Sequence, residues 1–243
     1  MAHPLTNLAD TVHKRGRAGI TSVCSAHPVV IEAALRLARE RGRPALVEAT
    51  CNQVNQDGGY TGMTPADFRR FVEGIAETAG FDPRNIILGG DHLGPNPWKH
   101  LAPVEAMAKA EVMIAAFADA GFTKLHLDTS MGCKGEPPAL PDAQTAERAV
   151  RLAAVAETHR GQSDVAVYVI GTEVPVPGGA VEALDHLELT TPSAASRTVE
   201  VHRQAFDAAG LGDAFARVIG QVIEALRQRT RLLRVIVHDI GMA

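Results

Sequence analysis

The sequence predicts an α/β fold made of parallel βα units arranged as a barrel of the TIM type. Short apolar runs alternate with longer helical segments along the 243 residues, which is the pattern of βαβ units and a parallel sheet. Polar residues follow several of the runs directly. The carboxyl ends of barrel strands form the mouth that holds an active site, whereas a doubly wound sheet gathers such residues near one switch point. A barrel is therefore favoured.

Six strands are predicted in chain order, with helices after them. The apolar runs that predict strands are 19–24, 44–49, 85–90, 124–128, 165–170 and 216–219, with a short extra strand at 187–190. Proline in the first turn and a glycine stop are typical of helix ends. They predict helices at 28–41, from Thr64 onward, and at 103–120, and periodicity adds helices at 143–159 and 192–209.

Composition excludes several classes of protein. The net charge of −4 and the lack of a basic block among aromatic residues argue against nucleic acid as a partner. No apolar run approaches the roughly 20 residues that cross a bilayer, and the first 14 residues lack the apolar core of a signal peptide. Cys24, Cys51 and Cys133 are widely spaced and fit a reducing compartment. We expect a cytoplasmic metabolic protein with no membrane partner.

The segment from Gly89 to Pro95 carries the strongest functional signal. It reads Gly-Gly-Asp-His-Leu-Gly-Pro and follows an apolar run, so a buried strand delivers Asp91 and His92 to its carboxyl end. Glycines in a strand allow close approach of another backbone or a ligand. We expect sugar or aldol-type chemistry here, although a turn in which Asp91 caps the next segment stays an alternative.

Carboxylates end four of the predicted strands. They are Glu48, Asp91, Asp128 and Glu173. Unpaired charge at buried strand ends is costly, so these groups need partners, a proton or a metal.

A divalent cation is one use of these groups. If His92 bound it together with Glu173 or Asp128, the cation would polarise a carbonyl and stabilise an enediolate, with Asp91 shuttling the proton. The alternative is a hydrogen-bonded ring that ties loops to the mouth. His126 lies two residues before Asp128 and shares its face, and we expect it to be a hydrogen-bonded strand histidine. Cys24 is expected in the core.

The loop from Asn52 to Gly62 is the candidate for substrate binding. Its amide side chains, on Asn52, Gln53 and Asn55, donate and accept hydrogen bonds and can bind sugar hydroxyls together with Glu48. Its glycines permit unusual backbone angles. The alternative is a loop that pairs with itself to cover the barrel.

Long motifs resemble the Z-type subunit of class II tagatose-1,6-bisphosphate aldolase. They are Ser22–Pro28, Val47–Thr50, Asn52–Gln56, Gly58–Arg69, Gly89–Asn96, His126–Asp128 and Tyr168–Gly179. The resemblance covers roughly residues 14 to 219. It implies an aldolase-type TIM barrel that takes part in galactitol, N-acetylgalactosamine or tagatose catabolism. It also implies a non-catalytic subunit that stabilises a separate catalytic subunit with a zinc site.

The same resemblance gives roles to single residues. Asp91 and His92 correspond to an Asp-His pair in which the histidine binds zinc and the aspartate handles the substrate proton, and Glu173 corresponds to a strand-end acid. More distant relatives are metal-dependent ketose or uronate epimerases. Some members have been labelled tagatose-6-phosphate kinases, but no phosphate-cradling kinase loop is present in this sequence.

Residues 220–243 depart from the family. We expect that a frameshift or a truncation produced this arginine-rich tail. Its sequence predicts a helix over 221–231 and a strand over 233–238. We therefore expect a single domain over 1–243, a partial barrel with about six βα units. Such a barrel keeps open sheet edges, and the missing units commonly bind substrate phosphate.

Three functional hypotheses follow. The first is an accessory subunit of the aldolase that needs a catalytic partner, with a sugar phosphate as substrate. The second is a metal-dependent ketose-phosphate aldolase or epimerase that uses Asp91, His92 and Glu173. The third is a degenerate barrel fragment without a function.

Overall fold

The computed structural model describes residues 3–6, 11, 14, 19–161, 165–172, 192–223, 226–227, 230–231 and 234–236. For residues 172, 192 and those from 221 onward the description is of the backbone alone. Glu173 and the predicted strand at 187–190 lie outside the described residues.

Strands and helices alternate as the sequence predicts. The parallel strands are β1 (Ser22–Cys24), β2 (Ala45–Thr50), β3 (Ile86–Leu93), β4 (Lys124–Leu127), β5 (Val167–Thr172) and β6 (Val218–Ile223). The helices are α1 (Pro28–Glu40), α2 (Pro65–Ala79), α3 (Pro103–Asp119), α4 (Asp142–His159), α5 (Pro192–Ala208) and the short α6 (Gly212–Phe215). Single 3₁₀ turns lie at Gly59–Thr61, Pro83–Asn85 and Asn96–Trp98.

The six strands form one open sheet in chain order. Each pairs in parallel with the next, from β1 to β6, and each helix contacts the helix that follows it. Sequential parallel strands with helices on the outside are the architecture of a TIM barrel. The predicted α/β class with about six βα units, as a partial barrel, is confirmed.

The tail folds differently from the prediction. Strand β6 runs on to Ile223, and β7 (Leu226–Arg227), β8 (Thr230–Arg231) and β9 (Arg234–Ile236) follow, so the predicted helix over 221–231 is wrong. Strand β9 pairs antiparallel with β6 and overlaps the predicted strand at 233–238. The β-branched residues around Val222 suit a strand, and pairing with β5 outweighs the helical periodicity.

The ends of the helices are fixed by local chemistry. At α2, the Thr64 side chain accepts from the Asp67 N–H while Asp67 accepts from the Thr64 N–H, which is a capping box. Gly80 then ends the helix in the left-handed conformation. At α1, the His27 ring accepts from the Val29 N–H ahead of a first-turn proline.

Two apolar layers lie on the two faces of the sheet. The larger one, between strands and helices, contains β-strand residues such as Val47, Leu125 and Ile170. The smaller one lies on the inner face near the amino ends of the strands, where Leu5 packs against Leu46, Ile87, and Val167. The inner face is therefore apolar at its amino end, and polar groups concentrate toward the carboxyl end.

None of the helices in the described ranges combines the length and the apolar composition that crossing a membrane requires.

Gly94 is required where the end of β3 meets the end of β4. A Cβ on Gly94 would lie 1.7 Å from the carbonyl oxygen of Asp128, so Gly94→Ala must push the two strand ends apart. We expect a loss of about 1–3 kcal/mol in the free energy of unfolding, as for overpacked sites, measured by urea titration. Gly74→Ala is the control, since Gly74 lies in α2 with no atom within 4 Å of its Cβ position. An equally stable Gly94→Ala variant would contradict this account.

Candidate active site at the carboxyl ends of the strands

Charged and imidazole side chains converge on the inner face of the sheet. They come from three neighbouring strands: Glu48 on β2, Asp91 and His92 on β3, Lys124 and His126 on β4, and Asp128 just after β4. Residues two apart on a strand share a face, which places the side chains of Lys124, His126 and Asp128 on one side. We call this group the acid–histidine cluster.

A β-bulge in β3 brings two consecutive residues into the cluster. Gly90 is in register with Leu125 but Leu93 with Leu127, so β3 carries one extra residue between them. His92 has φ +49° and is the only non-glycine residue with a left-handed backbone in the described ranges. Consecutive strand residues normally point to opposite faces. The bulge re-aims them, and both Asp91 and His92 contact residues of β4.

Asp91 and His126 form the first acid–imidazole pair. The Nδ1 atom of His126 lies 3.1 Å from Asp91 Oδ1 and 3.3 Å from the backbone nitrogen of His92. A neutral ring nitrogen either donates or accepts. Because a carboxylate only accepts, the Asp91 contact is a hydrogen bond when Nδ1 of His126 carries the proton, and Nε2 of the neutral ring is then an acceptor. The His92 N–H contact instead needs a lone pair on Nδ1.

His92 and Asp128 form the second pair. His92 Nδ1 lies 3.0 Å from Asp128 Oδ2, and the other oxygen of Asp128 accepts from the Ser130 hydroxyl at 2.9 Å. The two imidazole rings lie next to each other, with centroids 4.6 Å apart. Each ring is therefore held through one nitrogen by a carboxylate.

The environment keeps both aspartates ionised. Burial on its own raises the pKa of the Asp91 carboxyl. The hydrogen bond from His126 and the charges of His126, His92 and Lys124 outweigh burial and hold that pKa well below its usual range. Burial also raises the pKa of the Asp128 carboxyl. The His92 hydrogen bond, the charges of the two imidazole rings and the Ser130 hydroxyl outweigh burial, so the pKa of Asp128 is lowered as well.

The donor atoms of Asp91, His92 and His126 fit a divalent cation. They lie within 4.8 Å of one another. His126 is 1% exposed, and its Nε2 atom has no hydrogen-bond partner among the described residues. A ring whose other nitrogen is held by a carboxylate is the usual form of a metal-binding histidine. The expectation that His126 is a fully hydrogen-bonded strand histidine is wrong for this nitrogen.

A buried ion pair forms the base of the cluster. Lys124 Nζ is 2.6 Å from Glu48 Oε1 and 3.8 Å from Asp91 Oδ1, and the Ser22 hydroxyl donates to the other oxygen of Glu48. Gly89 makes the room, because a Cβ there would lie 2.4 Å from Glu48 Oε1. Glu48 therefore contacts protein groups at the base of the cluster.

The loop after β2 is held mainly by its own hydrogen bonds. Asn55 is buried, donates to the Cys51 carbonyl and accepts from the N–H groups of Asp57 and Gly59. The Gln53 side-chain carbonyl accepts from the Thr50 N–H at 2.9 Å. These contacts correspond to the self-pairing alternative for the loop.

Two residues of this loop stay near or at the surface. Asn52 is exposed and Gln53 is partly exposed. A Cβ on Gly59 would lie 2.4 Å from the Gln53 carbonyl oxygen, so the turn needs glycine there. Substrate binding by Asn52 and Gln53 stays a prediction.

The cysteines differ in exposure. Cys24 is exposed, so the expectation that it lies in the core is wrong. It lies on β1, at the edge of the sheet, with Sγ 3.8 Å from the Gln53 side-chain carbonyl. Partial burial raises the pKa of this thiol to about 12, with the charges of Asp91 and Glu48 adding to the effect. Cys51 and Cys133 are buried.

Sequence reasoning missed Lys124 entirely and undervalued His126. The signal was present, because Lys124, His126 and Asp128 alternate along one strand. The lysine stands at the start of an apolar run, where it resembles a solvated strand end. Of the predicted site residues, the structure brings together Glu48, Asp91, His92 and Asp128.

The sheet order and the strand-end cluster define an α/β protein of the TIM-barrel class with acid, imidazole and ammonium groups at its mouth. A family model described as "D-tagatose-1,6-bisphosphate aldolase subunit GatZ/KbaZ-like" matches residues 5–226. The chain belongs to this family, as its motifs predict.

Two relatives extend the comparison. The chain is 52% identical over 222 residues to the D-tagatose 6-phosphate 4-epimerase of Agrobacterium fabrum, covering 90% of this chain and 52% of the relative. A crystal structure of a probable tagatose 6 phosphate kinase from Sinorhizobium meliloti 1021 has 61% identity and a TM-score of 0.76. That match covers 85% of this chain and 49% of the other. The chain thus spans about half the length of these relatives.

Asp128→Asn tests the second acid–imidazole pair. The folded-state pKa of Asp128 is lowered, so its ionised form stabilises the fold above the unfolded-state pKa of about 4, and this contribution is lost as the pH falls. We expect the variant to be about 1.5–3 kcal/mol less stable near pH 7, as for a hydrogen bond to a charged group. Urea unfolding should show the difference shrinking below about pH 4. Asp57→Asn, at a half-exposed carboxylate, is the control, and a difference independent of pH would contradict the argument.

Proposed function

We propose that this chain is a 4-epimerase of a ketohexose phosphate and that it acts by breaking and remaking the C3–C4 bond. The observation that carries the proposal is the acid–histidine cluster, in which Asp91 lies 3.1 Å from His126 and the donor atoms of Asp91, His92 and His126 converge. The family description and the name of the Agrobacterium relative support the choice of substrate class.

Simple enolisation does not invert C4 of a 2-ketose, because the C4 hydrogen is not adjacent to the carbonyl. A retro-aldol step followed by aldol addition inverts C4. A base takes the C4 hydroxyl proton, the C3–C4 bond breaks, and its electron pair forms the enediolate of the three-carbon fragment. The aldehyde fragment then rotates so that its opposite face meets the enediolate. The C3–C4 bond re-forms with inverted configuration at C4, and the proton returns to the C4 oxygen. An aldolase cleaves the same bond, so the two names share one chemical step.

The described residues suit this chemistry. Asp91 is proposed to take and return the hydroxyl proton, since its carboxylate lies close to both rings and is one-fifth exposed. Asp128 holds His92 through Nδ1, and Asp91 holds His126 in the same way, so both rings are pre-oriented. A preorganised site of this kind avoids reorganisation during the reaction.

His92 and His126, with Asp91 close by, would hold a divalent cation. When bound, such a cation polarises the ketose carbonyl and stabilises the negative charge that develops on its oxygen. Glu173 remains a proposed further acid, and Asn52 and Gln53 remain proposed contacts to the sugar.

A second candidate function is accessory. The family description calls its members a subunit, and among the described residues β1 is an edge strand of the sheet. In this case the chain would stabilise a catalytic aldolase subunit in the cytoplasm, and the acid–histidine cluster would be dispensable for the activity of the complex.

Asp91→Asn distinguishes the two candidates. The purified chain is incubated with D-tagatose 6-phosphate and a divalent cation, and formation of D-fructose 6-phosphate is followed by NMR. We expect Asp91→Asn to lower the rate by about 10²–10⁴-fold, the range for loss of a general acid–base group. Asp57→Asn is the matched control, because Asp57 contacts Trp98 and Lys109 instead of the cluster.

Absence of turnover by the wild-type chain would contradict the epimerase proposal. If a complex with a catalytic aldolase subunit were then equally active with wild type and Asp91→Asn, the accessory function would be supported.

A further inference from the structure

A lysine lies at the bottom of the candidate site and has no role in the steps above. Lys124 opens β4, two residues before His126, and its side chain points to the inner face. The side chain is 10% exposed and that of its partner Glu48 is 3% exposed. Both charged side chains are therefore almost completely shielded from water.

Such a buried pair needs an explanation other than stability. Desolvation of the two ions offsets most of their attraction, and a well-packed apolar pair often gives equal or greater stability. The pair also constrains its surroundings, because Gly89 lacks the Cβ that would collide with Glu48. What the pair adds is a fixed positive charge 3.8 Å from Asp91 Oδ1.

Asp91 Oδ1 lies close to both Lys124 Nζ and His126 Nδ1. We propose that Lys124 is a positioning residue that, anchored by Glu48, fixes the Asp91 carboxylate against Nδ1 of His126 and so leaves Nε2 of His126 as an acceptor. The inference rests on the proposed function, because it concerns the same site, and it gives the buried ion pair a role in that site.

The geometry at His126 Nδ1 explains why positioning matters. Two groups compete for this nitrogen: Asp91 Oδ1 at 3.1 Å, which requires a proton on it, and the His92 backbone N–H at 3.3 Å, which requires a lone pair. The ammonium of Lys124 holds the carboxylate in place and favours the first arrangement. Without the Lys124 ammonium, the His92 N–H donates to Nδ1 of His126 and the ring proton moves to Nε2. Nε2 is then no longer an acceptor.

The tautomer of His126 is the decisive readout, and it needs neither substrate nor metal. Long-range ¹⁵N–¹H spectra of the chain labelled with ¹⁵N-histidine report which ring nitrogen carries the proton, in mildly alkaline buffer where an ordinary imidazole is neutral. The His126 signals are assigned by their loss in His126→Gln. We expect the Nδ1–H tautomer in wild type and the Nε2–H tautomer in Lys124→Met. Lys109→Met, at a half-exposed lysine paired with Asp57, should match wild type.

Turnover gives a second readout. For D-tagatose 6-phosphate we expect Lys124→Met to lower kcat by about 10²-fold, the cost of a misplaced catalytic group, while KM changes little. Lys124→Arg should restore the Nδ1–H tautomer and part of kcat. If wild type shows no turnover, the proposed function fails, and the tautomer alone decides the role of Lys124.

A wild-type Nε2–H tautomer would overturn the inference, as would a Lys124→Met variant that keeps the Nδ1–H form. Should Lys124→Met fail to fold, Lys124→Met with Glu48→Gln removes both buried charges. A folded double variant with the Nε2–H tautomer supports positioning. One with the Nδ1–H tautomer shows that the pair only stabilises the fold.

Discussion

Pairing of buried carboxylates is the constraint on which the carboxyl end of this sheet depends. Glu48 pairs with Lys124, Asp91 with His126, and Asp128 with His92. Each carboxylate lies in the second half of a strand or just after it. The two acid–imidazole pairs join β3 to β4, whereas Lys124 on β4 reaches past Gly89 of β3 to Glu48 on β2. A charge left alone at such a depth costs several kcal/mol, so the contacts across β2, β3 and β4 fix the positions of these strand ends relative to one another.

The β3 bulge makes this pairing possible. In a regular strand Asp91 and His92 would point to opposite faces, and only one of them would contact β4. One extra residue and the left-handed backbone of His92 bring both side chains to the inner face. A non-glycine residue in that conformation is uncommon, and such backbone is found preferentially at functional sites. The strain therefore supports a functional reading of the cluster.

Much of the fold was predictable from the sequence, because apolar periodicity, first-turn prolines and glycine stops act locally. The strands predicted at 85–90 and 124–128 and the helix start at Thr64 are of this kind. The long-range features were less accessible. Neither the bulge nor the contact between Asp91 and His126 leaves a local pattern, and the helix predicted over 221–231 gave way to pairing with β5. Lys124 was missed because burial of a lysine depends on Glu48, which lies in another strand.

Gly89 has a consequence for how the sequence can diverge. Its missing Cβ is the space that the Glu48 carboxylate occupies, at 2.4 Å from the position of that atom, and Glu48 in turn sets where Lys124 ends. The side chains at positions 48, 89 and 124 therefore compete for the same space, and substitutions at these positions are coupled. In divergent homologues a side chain at position 89 should appear only together with a shorter residue at position 48 and an altered residue at position 124, so the three columns of an alignment should covary.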